Sequence, residues 1–273
     1  MRYNKTGVIF GIGAQILWGL FPLYWPYLKA ASALEIVSNR AVWSLIFCII
    51  ISAFSQKLKS TFLLLKNSEV VIRLFLAACL ISINWIVYIW SVNHGHVVEA
   101  ALGYYINPLV IIGIGTIFLK EKLNKLQWFA IAIAAIGAIV LTIDYGRLPW
   151  IAFALAGSWG TYGYVKKKLG LESLVGLAIE TLLALPFYGG YIIYLQNKGT
   201  GHLGSSLKIT LLLIGAGVVT AIPLLLFNGA AIRVPYSLMG IFQYVTPTLT
   251  FIIGVWVNHE LMPTARWIGF FII

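Results

Sequence analysis

Apolar residues run through this chain in stretches of about 20, separated by short polar gaps. The stretches lie near residues 7–27, 36–55, 72–92, 97–119, 127–144, 149–165, 174–195, 208–230 and 235–257, and a tenth runs from Thr264 to the final Ile273. A helix needs about 20 apolar residues to cross the hydrocarbon of a bilayer. The pattern predicts an all-α integral membrane protein of ten transmembrane helices, the last one truncated. The longest gaps, 56–71 and 196–207, are polar; Lys57, Lys59 and Lys66 lie in one, and Asn197, Gly199 and Gly201 in the other. The first stretch is too long for a signal peptide and continues into mature protein. No long linker or low-complexity segment divides the chain.

Composition agrees. Charged residues make up 10% and hydrophobic residues 60%, and mean hydropathy is +0.93. Soluble domains carry roughly 25% charged residues, so lipid must cover most of this exterior. The net charge of +11 sits in the gaps, not along one face with aromatics between, which argues against nucleic acid. On alternate sides, Arg2, Lys5, Lys57, Lys59, Lys66, Arg73, Lys120, Lys122, Lys125, Lys166, Lys167, Lys168 and Arg233 face Lys29, Arg147, Lys198, Lys208 and Arg266. That split of 13 to 5 puts the N-terminus in the cytoplasm. Cys48 and Cys79 lie inside apolar stretches and read as small packing residues.

The two halves resemble each other. At an offset of 139, Tyr105, Pro108, Ile114, Gly115, Glu121 and Trp128 match Tyr244, Pro247, Ile253, Gly254, Glu260 and Trp267. Trp18-Gly19 and Trp159-Gly160 match at an offset of 141. Residues 5–144 and 149–273 then form two repeats of five helices each. An odd number of helices per repeat inverts the second copy, as in many secondary transporters with mid-membrane sites.

These residues also carry a family resemblance. Phe118-Leu119-Lys120-Glu121-Lys122-Leu123, then Gln127-Trp128 and an Ala/Gly-rich stretch, resemble the end of an EamA module of the drug/metabolite transporter superfamily. Asn84-Trp85, the run Asn93 to Ala100, Leu102 to Pro108, and Glu35 to Arg40 resemble the RarD branch of permeases. The resemblance implies ten helices, a bacterial inner membrane and transport of a small metabolite or drug. It implies no particular substrate.

Arg40 is a charge inside an apolar stretch, where it costs a few kcal/mol unless it faces the bundle interior. It reads as a holder of a substrate carboxylate or phosphate, as a gate, as a packing ion pair, or as a cation snorkelling to the interface. Glu180 lies 140 residues on, one off the repeat offset, so the two are expected to meet directly or through substrate. An unpaired buried carboxylate is a proton-coupling candidate, and a paired one is structural. Glu99 begins the fourth span, either favoured by the helix dipole or contacting a proton or solute. His94 and His96 form too sparse a set for a metal. Glu121 and Glu260 are expected to cap the next helix. Pro108 and Pro247 are expected to bend the fourth and ninth spans at matching hinges, and Pro22 and Pro223 could kink the first and eighth. Gln15, Trp18, Asn39, Asn84, Trp85, Tyr88, Tyr104, Asn107, Gln243 and Tyr244 are the cavity-lining candidates; such a lining suits a small amphipathic or aromatic solute.

No HExxH, GxSxG or Walker A run is present, and Gly11-Ile12-Gly13 lacks a third glycine and lies inside an apolar stretch. Neither catalysis nor a cofactor is expected. The partners are a small-molecule solute and the lipid bilayer, with a homodimer as the candidate assembly. The rival readings are a membrane enzyme acting on lipid or polyprenyl substrates, which needs acids or histidines clustered at one face, and a non-transporting sensor or assembly subunit.

Overall fold

The computed structural model describes residues 4–93, 97–144 and 149–257. The tenth stretch, His94, His96, Arg147, Glu260 and Trp267 lie outside them, and so does the side chain of Glu99. Among the described residues the regular structure is helical throughout. Five segments are long and apolar enough to cross a membrane: Lys5–Leu23, Ala33–Phe54, Ser68–Tyr88, Ser173–Asn197 and Leu207–Ala231.

Helix α1 (Lys5–Gly19) is capped by Asn4, whose side chain accepts from the Gly7 N–H. The sequence predicts one helix to residue 27, but α1 stops at Gly19 and gives way to two 3-10 turns, Phe21–Leu23 and Trp25–Leu28. Pro22 and Pro26 stand at their starts and offer no N–H to the preceding turn. Helix α2 (Ala33–Phe54) is capped by Ser32. A short helix, α3 (Leu58–Leu64), occupies what reads in sequence only as a polar gap.

Helices α4 (Ser68–Asn93) and α5 (Val97–Ile117) follow, and α5 runs unbroken past Pro108. Asn124 and Gln127 cap α6 (Lys125–Asp144) reciprocally, each side chain accepting from the other's backbone N–H. Helix α7 (Trp150–Leu169) extends four residues past its expected end and closes on Gly170 at φ +59°. Lys166, Lys167 and Lys168 are therefore not loop residues; they form the last helical turn, where cations offset the dipole.

Helices α8 (Ser173–Asn197) and α9 (Leu207–Ala231) are continuous. The ninth stretch is not one helix. It divides into α10 (Tyr236–Phe242), α11 (Val245–Ile252) and a π-helical turn, Ile253–Val257. The break precedes Pro247, which has no N–H for the Gln243 carbonyl and sits instead in the first turn of α11.

Helix α1 packs on α9 and α11, α2 on α8 and α9, α4 on α7 and α8, and α5 on α7 and α10. Cross-contacts define two faces. On the Asn4 face, Lys57 pairs with Glu172, and Glu121 accepts from the N–H groups of Tyr236 (2.6 Å) and Ser237 (2.8 Å). Glu121 thus caps α10, not the next helix along the chain. On the opposite face, the Tyr24 hydroxyl donates to the Leu212 carbonyl (2.6 Å) and Glu35 meets His202.

Glycines set the closest approaches. There is no room for a Cβ on Gly19 beside Leu249, on Gly160 beside Val110, or on Gly11 beside Phe242, and Gly103 lies tight against Ala152. At Gly217 a Cβ would run into the Trp43 backbone (2.5 Å) and the Ser44 nitrogen (2.7 Å). Ser44 Oγ also donates to the Gly217 carbonyl at 2.8 Å. Between membrane helices, contact of this kind replaces the hydrophobic drive. Gly217→Val is therefore expected to part α2 from α9 and cost about 2–4 kcal/mol, by overpacking and the lost hydrogen bond. A denaturant midpoint in detergent equal to that of the parent would show the contact to be dispensable.

Candidate functional site

Arg40 lies seven residues into α2, about 10 Å along its axis from the face opposite Asn4. The 3-10 turns after α1 bring Phe21 and Trp25 to it, and α4 supplies Trp85. The guanidinium carbon stands 4.8 Å from the Trp25 ring centroid, 5.0 Å from Trp85 and 5.9 Å from Phe21. Such cation–π contacts contribute about 0.5–2 kcal/mol each. Nε donates to Thr220 Oγ1 of α9 at 2.8 Å. Among the described residues that is its one hydrogen bond, and no carboxylate pairs with it. A guanidinium has five N–H groups. The aromatic faces satisfy its charge and leave its forked end free.

Thr220 and Trp85 also line a cavity between α2, α4, α8 and α9, with Ser44, Ser82, Thr181, Glu180 and Tyr188. Its free space of about 20 Å³ admits about one water. A ligand site of ordinary size is about 300–1,000 Å³, so this cavity is too small to hold a solute in this conformation. The Tyr188 hydroxyl donates to Ser82 Oγ (2.9 Å) and pins α8 to α4.

Glu180 lines the other end of the chamber, buried to 3% exposure. It does not pair with Arg40. Lys166 Nζ donates to Glu180 Oε2 at 2.8 Å, and the side chain of Lys166 is also buried. The Tyr162 hydroxyl adjoins the carboxylate, and Asn228 of α9 reaches that hydroxyl at 3.4 Å. Breaking a buried ion pair leaves an uncompensated charge, which locks this arrangement.

Other candidates fall elsewhere. Asn39 is tied within its own helix, donating to the Glu35 carbonyl and accepting from Trp43 Nε1. Asn84 joins α4 to α7 through the Leu155 carbonyl and Ser158 Oγ. Trp18 packs edge-on to Trp159 at 5.2 Å, and both lie against Phe227 in an aromatic wall of α1, α7 and α9. Tyr88 and Tyr104 do belong with Arg40: they contact one another edge-to-face at 6.2 Å, hydrogen-bond through their hydroxyls and lie within electrostatic reach of the guanidinium. Gln243 is buried at the break between α10 and α11. Gln15 accepts from Thr246 Oγ1, while Gln15 Nε2, Asn107 Oδ1 and the Tyr244 hydroxyl are buried without a hydrogen-bond partner among the described residues.

Sequence reasoning passed over Lys166, Thr220 and the partner of Glu35. Lys166 was legible: it follows Tyr162 by one helical turn, and Gly170 is the signal for where that helix ends.

Residues 5–143 match the EamA-like transporter family. The chain is 45% identical to the Bacillus subtilis (strain 168) protein called uncharacterized transporter YojE, over 96% of this chain and 89% of that one. It is 46% identical to protein RarD of Streptomyces exfoliatus, over 98% of this chain and 85% of the relative. A crystal structure sharing 16% identity superposes with a TM-score of 0.77 over 99% of this chain and 95% of its own, which carries the fold alone.

Proposed function

We propose, since this chain belongs to the EamA-like transporter family, that it moves a small metabolite or drug-like solute across the bacterial inner membrane by alternating access. It is a RarD-type permease of the drug/metabolite transporter superfamily and a membrane transporter by kinship. The finer reading is ten spans in two inverted repeats, 5–144 and 149–273, with the N-terminus cytoplasmic and a pH gradient as the candidate driving force.

The observation that carries this reading is Arg40. A cation that meets aromatic faces and one hydroxyl, and no carboxylate among the described residues, beside a small cavity is poised for an anionic group on the solute. Exchange of contacts between the halves supports the inversion. Gly19 against Leu249 becomes Gly160 against Val110 at offsets of 141 and 139, and Gly11 against Phe242 becomes Ala152 against Gly103 at the same offsets. Arg40 with Phe21 and Trp25 becomes Glu180 with Tyr162 and Lys166, at an offset of 140 for the charged residue and 141 for its two neighbours. A bundle built this way has two related packings, the requirement for rocking. Asn107 Oδ1 and the Tyr244 hydroxyl, buried without a hydrogen-bond partner among the described residues, stand next to Pro108 in α5 and at the α10–α11 break before Pro247, where the two prolines serve as hinges.

A thermal-shift screen of purified protein against metabolites, followed by uptake into proteoliposomes with and without a pH gradient, tests the proposal. Saturable uptake supports a carrier. Turnover without movement would favour a membrane enzyme.

A further inference from the structure

The face opposite Asn4 is tied shut by one acid. Glu35 lies in the first turn of α2, where Ser32 Oγ accepts from its backbone N–H at 3.2 Å. A glutamate at this position of a capping box ordinarily turns back on the cap residue. Here the carboxylate turns away, across the bundle. Oε1 accepts from the His202 backbone N–H at 2.6 Å, and Oε2 lies 2.9 Å from His202 Nδ1. Glu35 is 2% exposed, whereas the side chain of His202 is 32% exposed. The contact spans 167 positions and joins the first half of the chain to the α8–α9 connection of the second.

That connection is braced as a unit. The His202 carbonyl accepts from Ser205 N–H and Oγ, Thr210 Oγ1 accepts from the Gly204 N–H, and Gln196 donates to the Leu203 carbonyl. Leu203 packs against the buried cluster of Leu28, Ala31, Leu213 and Ala216. The neighbouring charged and titratable groups are engaged elsewhere: Lys198 over Tyr194, Lys208 over Tyr27, the Tyr24 hydroxyl on Leu212, and Arg40 on Thr220. Lys29 is exposed on the turn before α2. His202 is thus the one ionic partner of Glu35 among the described residues.

We propose that Glu35 and His202 form a charge-assisted latch over this mouth, and that the mouth opens only when their contact breaks. The latch rests on the reading of two halves that rock apart. The Glu35 carboxylate holds two donors of the opposite half with charge assistance. Glu35→Gln removes the charge from both bonds and puts an amide donor in place of one acceptor oxygen. Glu35 is therefore the residue whose charge holds the mouth shut.

The test uses the full chain in proteoliposomes, with Cys48→Ser, Cys79→Ser and a reporter Ala216→Cys in the buried cluster against which Leu203 packs. Labelling by a membrane-impermeant maleimide is normalised to an exposed Ser205→Cys reporter. Glu35→Gln is expected to label at least tenfold faster than the parent, and His202→Ala, checked for an unchanged elution volume, to label faster than the parent as well. Equal labelling of the parent and both variants overturns the latch. The reporter reads the opening of the mouth whether or not solute moves, so an opening mouth without flux would fault the carrier reading and leave the latch standing.

Discussion

Arg40→Ala is expected to lower solute uptake about 100-fold or more while the protein still folds. Losing a charge-assisted contact to a bound anionic group costs about 2–5 kcal/mol, and every 1.4 kcal/mol is about tenfold. Little stability goes with it, because Arg40 pairs with no carboxylate among the described residues and a cation in the hydrocarbon zone is itself a cost. The packing lost is the face-on contact with Trp25 and Trp85. Arg40→Lys is not expected to rescue uptake, since an ammonium lacks both the planar stack and the fork. Initial uptake rates in proteoliposomes, alongside the thermal shift with the same solute, read both effects. Uptake by Arg40→Ala at the parent's rate would remove Arg40 from the path.

Lys166→Ala is expected to destabilise the fold by about 3–5 kcal/mol, because Glu180 is left charged and buried. Glu180→Ala has the mirror effect. Replacing both together, Lys166→Met with Glu180→Leu, is expected to recover most of the loss, since a well-packed apolar pair of similar volume often does as well as a buried ion pair. Unfolding midpoints in detergent give the cycle. Additive losses in the double variant would mean the two side chains do not act as a pair. Exchanging charge between Arg40 and Glu180 is expected to restore nothing, because Glu180 is held by Lys166 and Tyr162.

Helices were legible because lipid allows only one answer to a long apolar run, and five of those described are long and apolar enough to cross a membrane. Their ends were less so. Apolar residues continue past Gly19, and only Pro22 and Pro26 record that the helix has stopped. The lysines at 166 to 168 read as a loop by charge, while helical bonding carries α7 through them to Gly170. For the site, Arg40 was visible as a misplaced charge, and Trp85 as an aromatic away from any span end. Its other neighbours were not legible. Thr220 stands 180 positions away in sequence, and His202 stands 167 from Glu35. Distances of that kind are set by how helices cross, which the pattern of one helix does not encode. Asn39 and Asn84 show the converse: polar residues in apolar helices whose hydrogen bonds serve packing.

Reciprocal access to the chamber tests alternating access most directly. In the Cys48→Ser/Cys79→Ser background with a Ser44→Cys reporter, one variant joins cysteines at Lys57 and Glu172 with a short bifunctional thiol reagent, and another joins cysteines at Glu35 and His202. Locking the Asn4 face is expected to leave Ser44→Cys reachable only from the opposite side of the membrane, and locking the opposite face to reverse that. A reporter whose accessibility is the same under either lock would contradict the account.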